Sequence, residues 1–577
     1  MPPEDVYTYF DIFDYIVFAA MLIVSSLIGV YFAFFAKVKQ DTTSEYLMGG
    51  KTMGIFPISM SLIASYISGI SVLGIPAEMY TYGSQFWMVL ASEALVSLTM
   101  AYCYLPVFYK LQITSSYEYL NLRFNQTVRL LGSVLFLTKM MLYIPIVIYV
   151  PALAFSQVTG INLHLITPAV CIVCIFYTTL GGLKAVVWTD TVQTVMMFAA
   201  LIAVVFMGID SVGGLSEVWR RNEAGDRLEF FNFNWDPTIR HTFWTVSIGN
   251  YFSWLASCSI NQAMVQRCLA MPTLKSARIT VAILVIGITA LVSMCCYIGL
   301  VIYAYYYKCD PITRGSIHKS DQLLPYFVMH IASSMPGLPG LFVSGVFSAA
   351  LSSMSTGLNS MTGVIFEDLI KPRMKKPLTE AQASFLMKVI VVIIGSICVA
   401  LVFVVEKMGA LIQATGSLSA ITAGPLLGIF SLGMFFPNAN AKGALIGGLV
   451  SGSLVGWISV GTQMKMAQGV IKFPQKFVSI EGCNANWVAE YLSLTLAAEV
   501  TERPEEAVFG LYRLSYMYYT MVGAVTAIVV GFVVSLLTGG GGKRIHRDLL
   551  SPVVHGFLKP ESAAEDDKDI VMTDNLM

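Results

Sequence analysis

Three small residues in the second half of the chain have the spacing of a cation site. Ala349, Ser352 and Ser353 stand at positions i, i+3 and i+4, so on a helix they share one face. Two hydroxyls and a nearby backbone carbonyl are hard, neutral oxygen donors, and such donors bind a small hard cation weakly enough to release it. The alternative is helix packing, because small residues let membrane helices approach closely. The residues alone leave both interpretations open.

Two apolar segments carry polar and small residues that would interrupt a helix. The first reads SLIASYISGISVLGIPAEMY, and the second reads GNYFSWLASCSINQAMVQR. Gly and Pro weaken the middle of a helix, and transporters use the backbone carbonyls freed by such breaks as binding sites. The two segments are five spans apart in the order of apolar runs. An inverted repeat of five helices would therefore bring both segments to one central site.

Two charged residues lie inside apolar segments, Glu93 in WMVLASEALVSL and Lys139 in KMMLYIPIVIYVPAL. A charge at the centre of a membrane span costs about 2.5–3.5 kcal/mol on insertion scales, so each residue needs a compensating environment. Three interpretations are open. The two side chains pair with each other, Lys139 attracts an anionic substrate, or a tilted span brings Lys139 to the surface by snorkelling.

The elements that hold these residues must cross a membrane. Of the 577 residues, 56% are hydrophobic and only 12% are charged, about half the usual ~25%. Lys plus Arg and Asp plus Glu cancel at 35 each, so net charge gives no support for a nucleic-acid partner. The sequence holds six His, without a metal-binding cluster or a nucleophile motif, so an enzyme is not expected. The composition predicts an all-α integral membrane protein.

Apolar runs of about 20 residues predict thirteen transmembrane helices. Lys and Arg are concentrated in alternate connections, with Lys110 and Arg267 among them, which places the N-terminus outside and the C-terminus inside. The odd number of spans agrees with termini on opposite sides. The sequon at Asn125 falls on the inner side and is expected to be unglycosylated. The runs begin near Ile12, Gly54, Ser84, Val128, Leu163, Lys184, His241, Ser276, Gly340, Leu386, Met408, Ala441 and Tyr516.

Cys309 and Cys483 fall in two long loops that are expected to face the oxidising outside, where they form either a disulfide or two separate thiols. The polar, partly acidic C-terminal tail is expected to be cytoplasmic and disordered. The expected segments are an extracellular N-terminus at 1–11, an additional helix at 12–36, a transport core at 52–436, C-terminal helices at 441–538 with an extracellular loop at 464–515, and the tail at 539–577.

Four ordered motifs resemble the sodium/solute symporter family. They are TTLGGLKAVVWTDTVQ (178–193), NQAMVQR (261–267), NSMTGVIFEDLIKP (359–372) and AKGALIGGLVSG (441–452). Within the family, YKLQITSSYEYLNLRFN, VIYVPALAFSQVTG, RHTFW and PGLPGLFVSG are most similar to the branch of sodium-coupled monocarboxylate, multivitamin and iodide transporters. The resemblance implies a LeuT-type core of five plus five inverted repeats, formed by the second to the eleventh span.

The resemblance also implies site residues. The sodium site known in the family corresponds in this sequence to the backbone carbonyls of Ala64 and Ile67 together with Ala349, Ser352 and Ser353. Asp190 matches an acidic residue linked to cation coupling; alternatively, it is a helix-start charge at the inner interface. Ser71 stands where the iodide carrier has a Gln, which argues against iodide as the substrate. A second sodium and the substrate are expected near Ser68, Ser71, Tyr143 and Trp254, with Glu93 and Lys139 as further substrate candidates.

The resemblance implies a multi-pass plasma-membrane symporter that moves sodium together with a small organic anion. The expected substrate is a short monocarboxylate such as lactate or pyruvate, or a vitamin carboxylate such as biotin or pantothenate. Sodium is the expected coupling ion, no cofactor is expected, and the lipid bilayer is the other partner. The alternatives are a sodium-gated sensor or channel-like member without transport, and a symporter of a neutral solute such as sugar, inositol or choline.

Overall fold

The computed structural model describes residues 10–36, 42–332, 335–405, 411–484, 488, 508–539 and 545–558. Within these ranges all regular secondary structure is helical. The α-helices are Ile12–Val30, Thr43–Met48, Ile55–Tyr66, Gly69–Tyr82, Val89–Thr99, Leu105–Leu111, Glu118–Arg123, Gln126–Thr159, Leu163–Val212, Leu215–Ala224, Asn250–Leu255, Gln262–Leu269, Leu274–Tyr305, Leu323–Ala332, Leu338–Val364, Glu380–Val405, Leu411–Phe435, Ala441–Ala467 and Tyr519–Leu537.

Nine helices among the described residues are long and apolar enough to cross a membrane, fewer than the thirteen apolar runs of the sequence. The other four runs begin near Gly54, Lys184, His241 and Met408. The runs near Gly54 and His241 form short broken helices, and the run near Lys184 continues the helix that begins at Leu163. The run near Met408 begins beside residues outside the described ranges. Breaks in the helices and the limits of the described ranges therefore account for the difference.

The helix Leu163–Val212 turns sharply at Gly182. As a straight helix its 50 residues would extend about 75 Å, more than twice the ~30 Å hydrocarbon core of a bilayer. Gly182 adopts φ 52° and ψ −150°, a backbone conformation that favours glycine. A Cβ atom at Gly182 would lie 2.9 Å from the carbonyl oxygen of Tyr46. Glycine therefore also lets the backbone at Tyr46 pack directly against the turn. The stretch therefore consists of two helical halves, and the Gly-Gly of the motif forms the corner between them.

Two core elements are broken near their middle. The first broken helix consists of Ile55–Tyr66 and Gly69–Tyr82, with Ile67 and Ser68 extended between them. The second broken helix runs over 245–269 through two π-helical segments and is interrupted at Asn261, whose ψ is 126°. Both breaks fall in the segments for which the sequence predicts interrupted helices.

The helix Leu338–Val364, here called the serine-rich helix, occupies the centre of the molecule. Nearly all of its side chains are buried. It packs against both broken elements and against the helices Ile12–Val30, Gln126–Thr159 and Leu163–Val212. Its small residues let these neighbours approach closely, which is how membrane helices associate without a hydrophobic driving force between them.

The glycines of the motif at 441–452 serve helix packing. A Cβ atom at Gly447 would lie 2.5 Å from the carbonyl oxygen of Ala527 and 2.9 Å from the Cα of Gly531. Contacts this short leave no room for a side chain, so the helix Ala441–Ala467 lies directly on the backbone of the helix Tyr519–Leu537. The motif therefore marks a helix–helix interface rather than a binding site.

The segment 545–558 is ordered against the body of the protein. It forms two short 3-10 turns, and the hydroxyl of Tyr119 donates a hydrogen bond of 3.0 Å to the carbonyl of Leu549. Leu550 is 2% exposed, and burying such a side chain stabilises by about 1.5–3 kcal/mol. The expectation of a disordered tail over 539–577 is therefore wrong for this segment, because its apolar residues dock. Most of the remaining tail lies outside the described residues.

Cys309 and Cys483 are joined as a disulfide. The bond links the connection after Tyr305 to the long loop that follows the helix Ala441–Ala467. The N–H of Gly482 donates to the carbonyl of Lys308 at 2.8 Å, so backbone pairing supports the same contact. Of the two alternatives left by the sequence, the structure has the disulfide.

Candidate functional site

The break in the first broken helix exposes backbone carbonyls inside the molecule. The last bond of its first half joins the N–H of Ile67 to the carbonyl of Ile63 at 3.1 Å. The final carbonyls of a helix have no partner within the helix, and the expected donors Ala64 and Ile67 belong to this group. Both residues are 1% exposed, so their carbonyl oxygens need a partner within the protein or a bound ion.

Two of the predicted ligands on the serine-rich helix, Ser352 and Ser353, have buried hydroxyls that form no hydrogen bond of 3.5 Å or less among the described residues. The Ser352 hydroxyl adjoins the carboxylate of Asp190. Ser344, Ser355 and Ser360 on the same helix differ, because each donates to a backbone carbonyl three or four residues earlier. Leaving a buried hydroxyl unsatisfied costs about 1–3 kcal/mol. The predicted cation ligands are therefore hydroxyls that lack a partner, and sodium fits such a set of neutral oxygens. Ser348 Oγ on this helix also lacks a partner.

Asp190 belongs to a buried ion pair. Its Oδ2 atom lies 3.1 Å from Nη2 of Arg267, and the two side chains are 0% and 1% exposed. The hydroxyl of Ser61 donates to the same Oδ2 at 2.6 Å and accepts from Nε of Arg267 at 2.7 Å. Arg267 Nη2 also donates to Thr356, which lies one turn beyond Ser352 and Ser353. This network joins both broken helices, the serine-rich helix and the helix Leu163–Val212.

The network corrects two expectations. Asp190 is fully buried inside a helix, so the interpretation as a helix-start charge at the interface is wrong. Arg267 does not lie in a solvated loop, where the sequence placed it as a topology signal, but pairs with Asp190. Sequence reasoning missed this role because the two residues are 77 positions apart. The available signal was that Arg267 stands only six residues after the polar break at Asn261, on the helix Gln262–Leu269.

A cavity of about 260 Å³, here called the central cavity, lies where the two broken helices meet. Of the predicted substrate residues, Ser71, Tyr143, Trp254 and Lys139 line it. Ser353 lines it as well, so one candidate sodium ligand faces the same space. The structure therefore brings one candidate sodium ligand, Ser353, and most of the predicted substrate residues to one place.

Ser68 lies behind Ser71 at the start of the helix Gly69–Tyr82. Its hydroxyl is 3.3 Å from that of Ser71 and accepts from the Ser71 N–H at 3.4 Å, and the Tyr143 hydroxyl adjoins it. Asp190, which the sequence grouped with Ser68 and Tyr143, belongs instead to the network around Arg267. The expected second coupling group therefore consists of two separate clusters.

Glu93 and Lys139 do not form an ion pair in the part of the chain that the structure describes. Glu93 Oε2 reaches Thr289 at 3.5 Å, and its Oε1 has no partner there. The carboxyl lines a small pocket behind Tyr66 and Trp254, whose rings stack at 3.9 Å. The pairing hypothesis is therefore wrong. The snorkelling hypothesis is wrong too, because Lys139 faces the central cavity.

A second buried ion pair, which the sequence analysis did not identify, lies at the end where the segment 545–558 docks. Arg129 Nη2 is 2.5 Å from Oδ1 of Asp368, and Ser115 and Ser133 donate to Oδ2 of Asp368 at 2.9 and 2.7 Å. The pair joins the start of the helix Gln126–Thr159 to the element that continues the serine-rich helix. Arg129 and Asp368 are 239 positions apart, so no local sequence pattern indicated this ion pair.

The profile of the sodium:solute symporter family matches residues 46–451, more than half of the chain. The chain is also 42% identical, over 94% of its own length and 88% of the relative, to the sodium-coupled monocarboxylate transporter 1 of Xenopus laevis. The chain belongs to the sodium:solute symporter family. The sodium-dependent multivitamin transporter of Oryctolagus cuniculus is another relative, with 40% identity over 93% of this chain and 84% of that protein.

A solved structure of similar fold is that of a Na⁺-coupled sialic acid symporter in a substrate-bound, outward-open state. It superposes with a TM-score of 0.73 over 91% of this chain and 98% of that chain, at 24% identity. The likeness shows that the protein has the helical fold of this group of symporters. Family membership and the nine apolar spans make this sodium:solute symporter a multi-pass plasma-membrane protein.

Proposed function

We propose that the protein is a sodium-coupled symporter that carries a small organic anion by alternating access. The observation that supports this most is the composition of the central cavity. One wall contains the candidate sodium ligand Ser353, whose hydroxyl has no partner within the described ranges. Lys139 supplies a cation that forms no ion pair with any residue of those ranges. The monocarboxylate and multivitamin transporters among the relatives agree with an anionic substrate.

The cavity has room for a short monocarboxylate. At about 30 Å³ per water, its 260 Å³ corresponds to roughly eight or nine waters. Lactate or pyruvate fits this space together with a few waters. Lys139 would attract the carboxylate, and the hydroxyls of Ser71 and Tyr143 would orient it. Lys139 also disfavours a neutral solute such as a sugar, because a buried cation would then remain uncompensated.

The sodium site is proposed at the carbonyls of Ala64 and Ile67 with Ala349, Ser352 and Ser353. An ion here bridges the first broken helix and the serine-rich helix. Sodium binding is expected to stabilise the outward-open state and to shape the cavity wall, and substrate binding then permits rocking to the inward-open state.

A second sodium is proposed at Ser68, Ser71 and Tyr143, whose hydroxyls lie together beside the cavity. Asp190 is proposed as a coupling residue that acts through Arg267 and Thr356, next to the first sodium site. Its Oδ1 atom forms no hydrogen bond of 3.5 Å or less among the described residues, and the carboxylate adjoins the hydroxyl of the candidate sodium ligand Ser352.

The proposed topology has thirteen spans, with the second to the eleventh forming the inverted repeats, the N-terminus outside and the C-terminus inside. The disulfide supports it, because Cys309 and Cys483 then face the oxidising side. Arg267 no longer counts toward the positive-inside signal, but Lys110, Arg278 and Lys371 remain at that side. An epitope tag after Met577 should be accessible to antibody only in permeabilised cells, and staining of intact cells would refute this orientation.

The direct test is tracer uptake with and without sodium in cells that express the protein. The panel consists of lactate, pyruvate, butyrate, biotin, pantothenate, iodide, choline, glucose and inositol. We expect sodium-dependent uptake of the short monocarboxylates above all others. A sensor or channel-like protein would instead give sodium currents without accumulation of any tracer.

A further inference from the structure

A second cavity, here called the vestibule, lies at the end of the molecule that carries the disulfide. Its volume is about 570 Å³. The lining residues on which its chemistry depends are Gln85, Glu229, Arg240, Lys472 and Arg513. They come from the ends of the two broken helices and from the loop after the helix Ala441–Ala467.

The vestibule and the central cavity are joined by the same two elements. Tyr82, which lines the vestibule, ends the helix Gly69–Tyr82, whose first turn lies beside the central cavity. The 14 residues of this helix rise about 20 Å. Arg240 precedes the second broken helix, on which Trp254 reaches the central cavity. The vestibule therefore lies about 20 Å from the central cavity along both elements that form the latter.

The vestibule retains positive charge after its ion pairs are counted. Arg240 is neutralised by Glu78 at 2.7 Å. Glu229 shares Lys476 with Asp226, at 3.2 and 2.8 Å. Burial alone would lower the pKa of Lys476, but its hydrogen bonds to carboxylates raise that pKa, which keeps it charged.

Lys472 and Arg513 form no ion pair with any residue in the described ranges. Both line the cavity, and both side chains are exposed to it. The four cations Arg240, Lys472, Lys476 and Arg513 exceed the three carboxylates Glu78, Asp226 and Glu229 by one positive charge, which sets the sign of the local field. The vestibule therefore favours an anion.

Gln85 supplies a donor that points to a ligand. The residue is 4% exposed, and its Oε1 atom accepts a hydrogen bond of 2.6 Å from the N–H of Asn232. That bond fixes the orientation of the amide, and the Nε2 atom has no partner among the described residues. A buried donor without an acceptor costs about 1–3 kcal/mol. A carboxylate in the vestibule would accept from Nε2 and remove this cost.

We propose that the vestibule is a second binding site, which holds a small organic carboxylate between the amide of Gln85 and the cations Lys472 and Arg513. The identity of the ligand class rests on the proposed function, since the vestibule would hold the anion before it reaches the central cavity. Binding there is independent of sodium, because none of the proposed sodium ligands lines the vestibule.

The test measures binding of radiolabelled lactate to the purified full-length protein in nanodiscs, in potassium buffer without sodium. Lactamide, the neutral analogue, is the ligand control and should not compete. Gln85→Glu keeps the acceptor for Asn232 but replaces the donor with a negative charge, so affinity should fall at least tenfold. Lys472→Gln and Arg513→Gln should each weaken binding several-fold, without affecting folding, because both side chains are exposed.

The matched control is Arg220→Gln, which removes one positive charge at an exposed residue that does not line the cavity. It should leave lactate binding unchanged. Binding that is absent in the wild type, or equal in the wild type and in both cation variants, overturns the vestibule site. If sodium-dependent uptake persists in that case, the proposed function stands. If the wild type binds lactate without sodium and the variants do not, the site stands even when no uptake is found.

Discussion

At the scale of single residues, the decisive difference among the buried hydroxyls is whether a partner exists. Ser344 and Ser360 satisfy their hydroxyls with carbonyls of their own helix, as membrane serines commonly do. The hydroxyls of Ser352 and Ser353 form no such bond, and Ser353 lines the cavity together with Tyr66, the last residue of the helix Ile55–Tyr66. Helix packing alone explains small side chains, but it gives no reason for buried hydroxyls without a partner. A bound sodium ion does.

Ser352→Ala and Ser353→Ala should each lower the apparent sodium affinity of transport. Each removes one oxygen ligand from a charged ion, and hydrogen bonds to charged groups are worth about 1.5–3 kcal/mol, which corresponds to roughly tenfold or more. The measurement is the sodium dependence of uptake at fixed substrate, corrected for surface expression. Ser344→Ala, whose hydroxyl is already satisfied on the same helix, is the control. Equal sodium dependence in all three variants would show that Ser352 and Ser353 do not bind sodium and serve helix packing instead.

Lys139→Gln should raise the half-saturating concentration of the anion while expression holds, because the variant removes the only predicted cationic substrate group of the central cavity. Lys139→Arg should retain part of the affinity. Glu93→Gln should leave the half-saturating concentration nearly unchanged, since Glu93 lies behind the Tyr66–Trp254 stack. The double variant Lys139→Gln with Glu93→Gln should transport no better than Lys139→Gln alone. Better transport by the double variant would show that the two residues are coupled, which would contradict their separation in the structure.

At the scale of elements, the site depends on helices that stop and restart. The break between Tyr66 and Gly69 was predictable, because small and polar residues interrupt an otherwise apolar run. The contact that holds the broken elements together was not. Asp190 and Arg267 are separated by a whole span and a long loop, and nothing in either local sequence shows that they meet. Long-range pairing of charges is a property of the packed structure.

Asp190→Asn and Arg267→Gln should each reduce surface expression and thermal stability in detergent. Removing one partner of a buried ion pair leaves an uncompensated charge, with a typical cost of about 3–5 kcal/mol. The double variant should recover part of the loss, because no unpaired charge remains. Glu217→Gln at the exposed pair with Arg220 is the control and should have little effect. Losses that simply add in the double variant would contradict the pairing.

At the scale of the whole molecule, composition and motifs were enough to predict a helical membrane protein and its family. Ser353, Trp254 and Lys139, which the sequence analysis singled out, line one cavity, and their roles there stay predictions. The boundary between the runs that begin near Leu163 and Lys184 coincides with the turn at Gly182, and the total of thirteen spans stays a prediction. The sequence analysis missed the docked segment 545–558, whose few apolar residues are buried only by contact with distant helices.

The central claim is sodium-coupled transport of an anion, and its most direct test is uptake of radiolabelled lactate under voltage clamp. With two sodium ions per monoanion, each cycle moves a net positive charge inward, which gains ~2.3 kcal/mol per 100 mV. We expect uptake that requires sodium and is accompanied by an inward current of about one elementary charge per lactate. Electroneutral uptake that still requires sodium would leave only one sodium per anion. Uptake that persists unchanged when sodium is replaced by N-methylglucamine would contradict the claim itself.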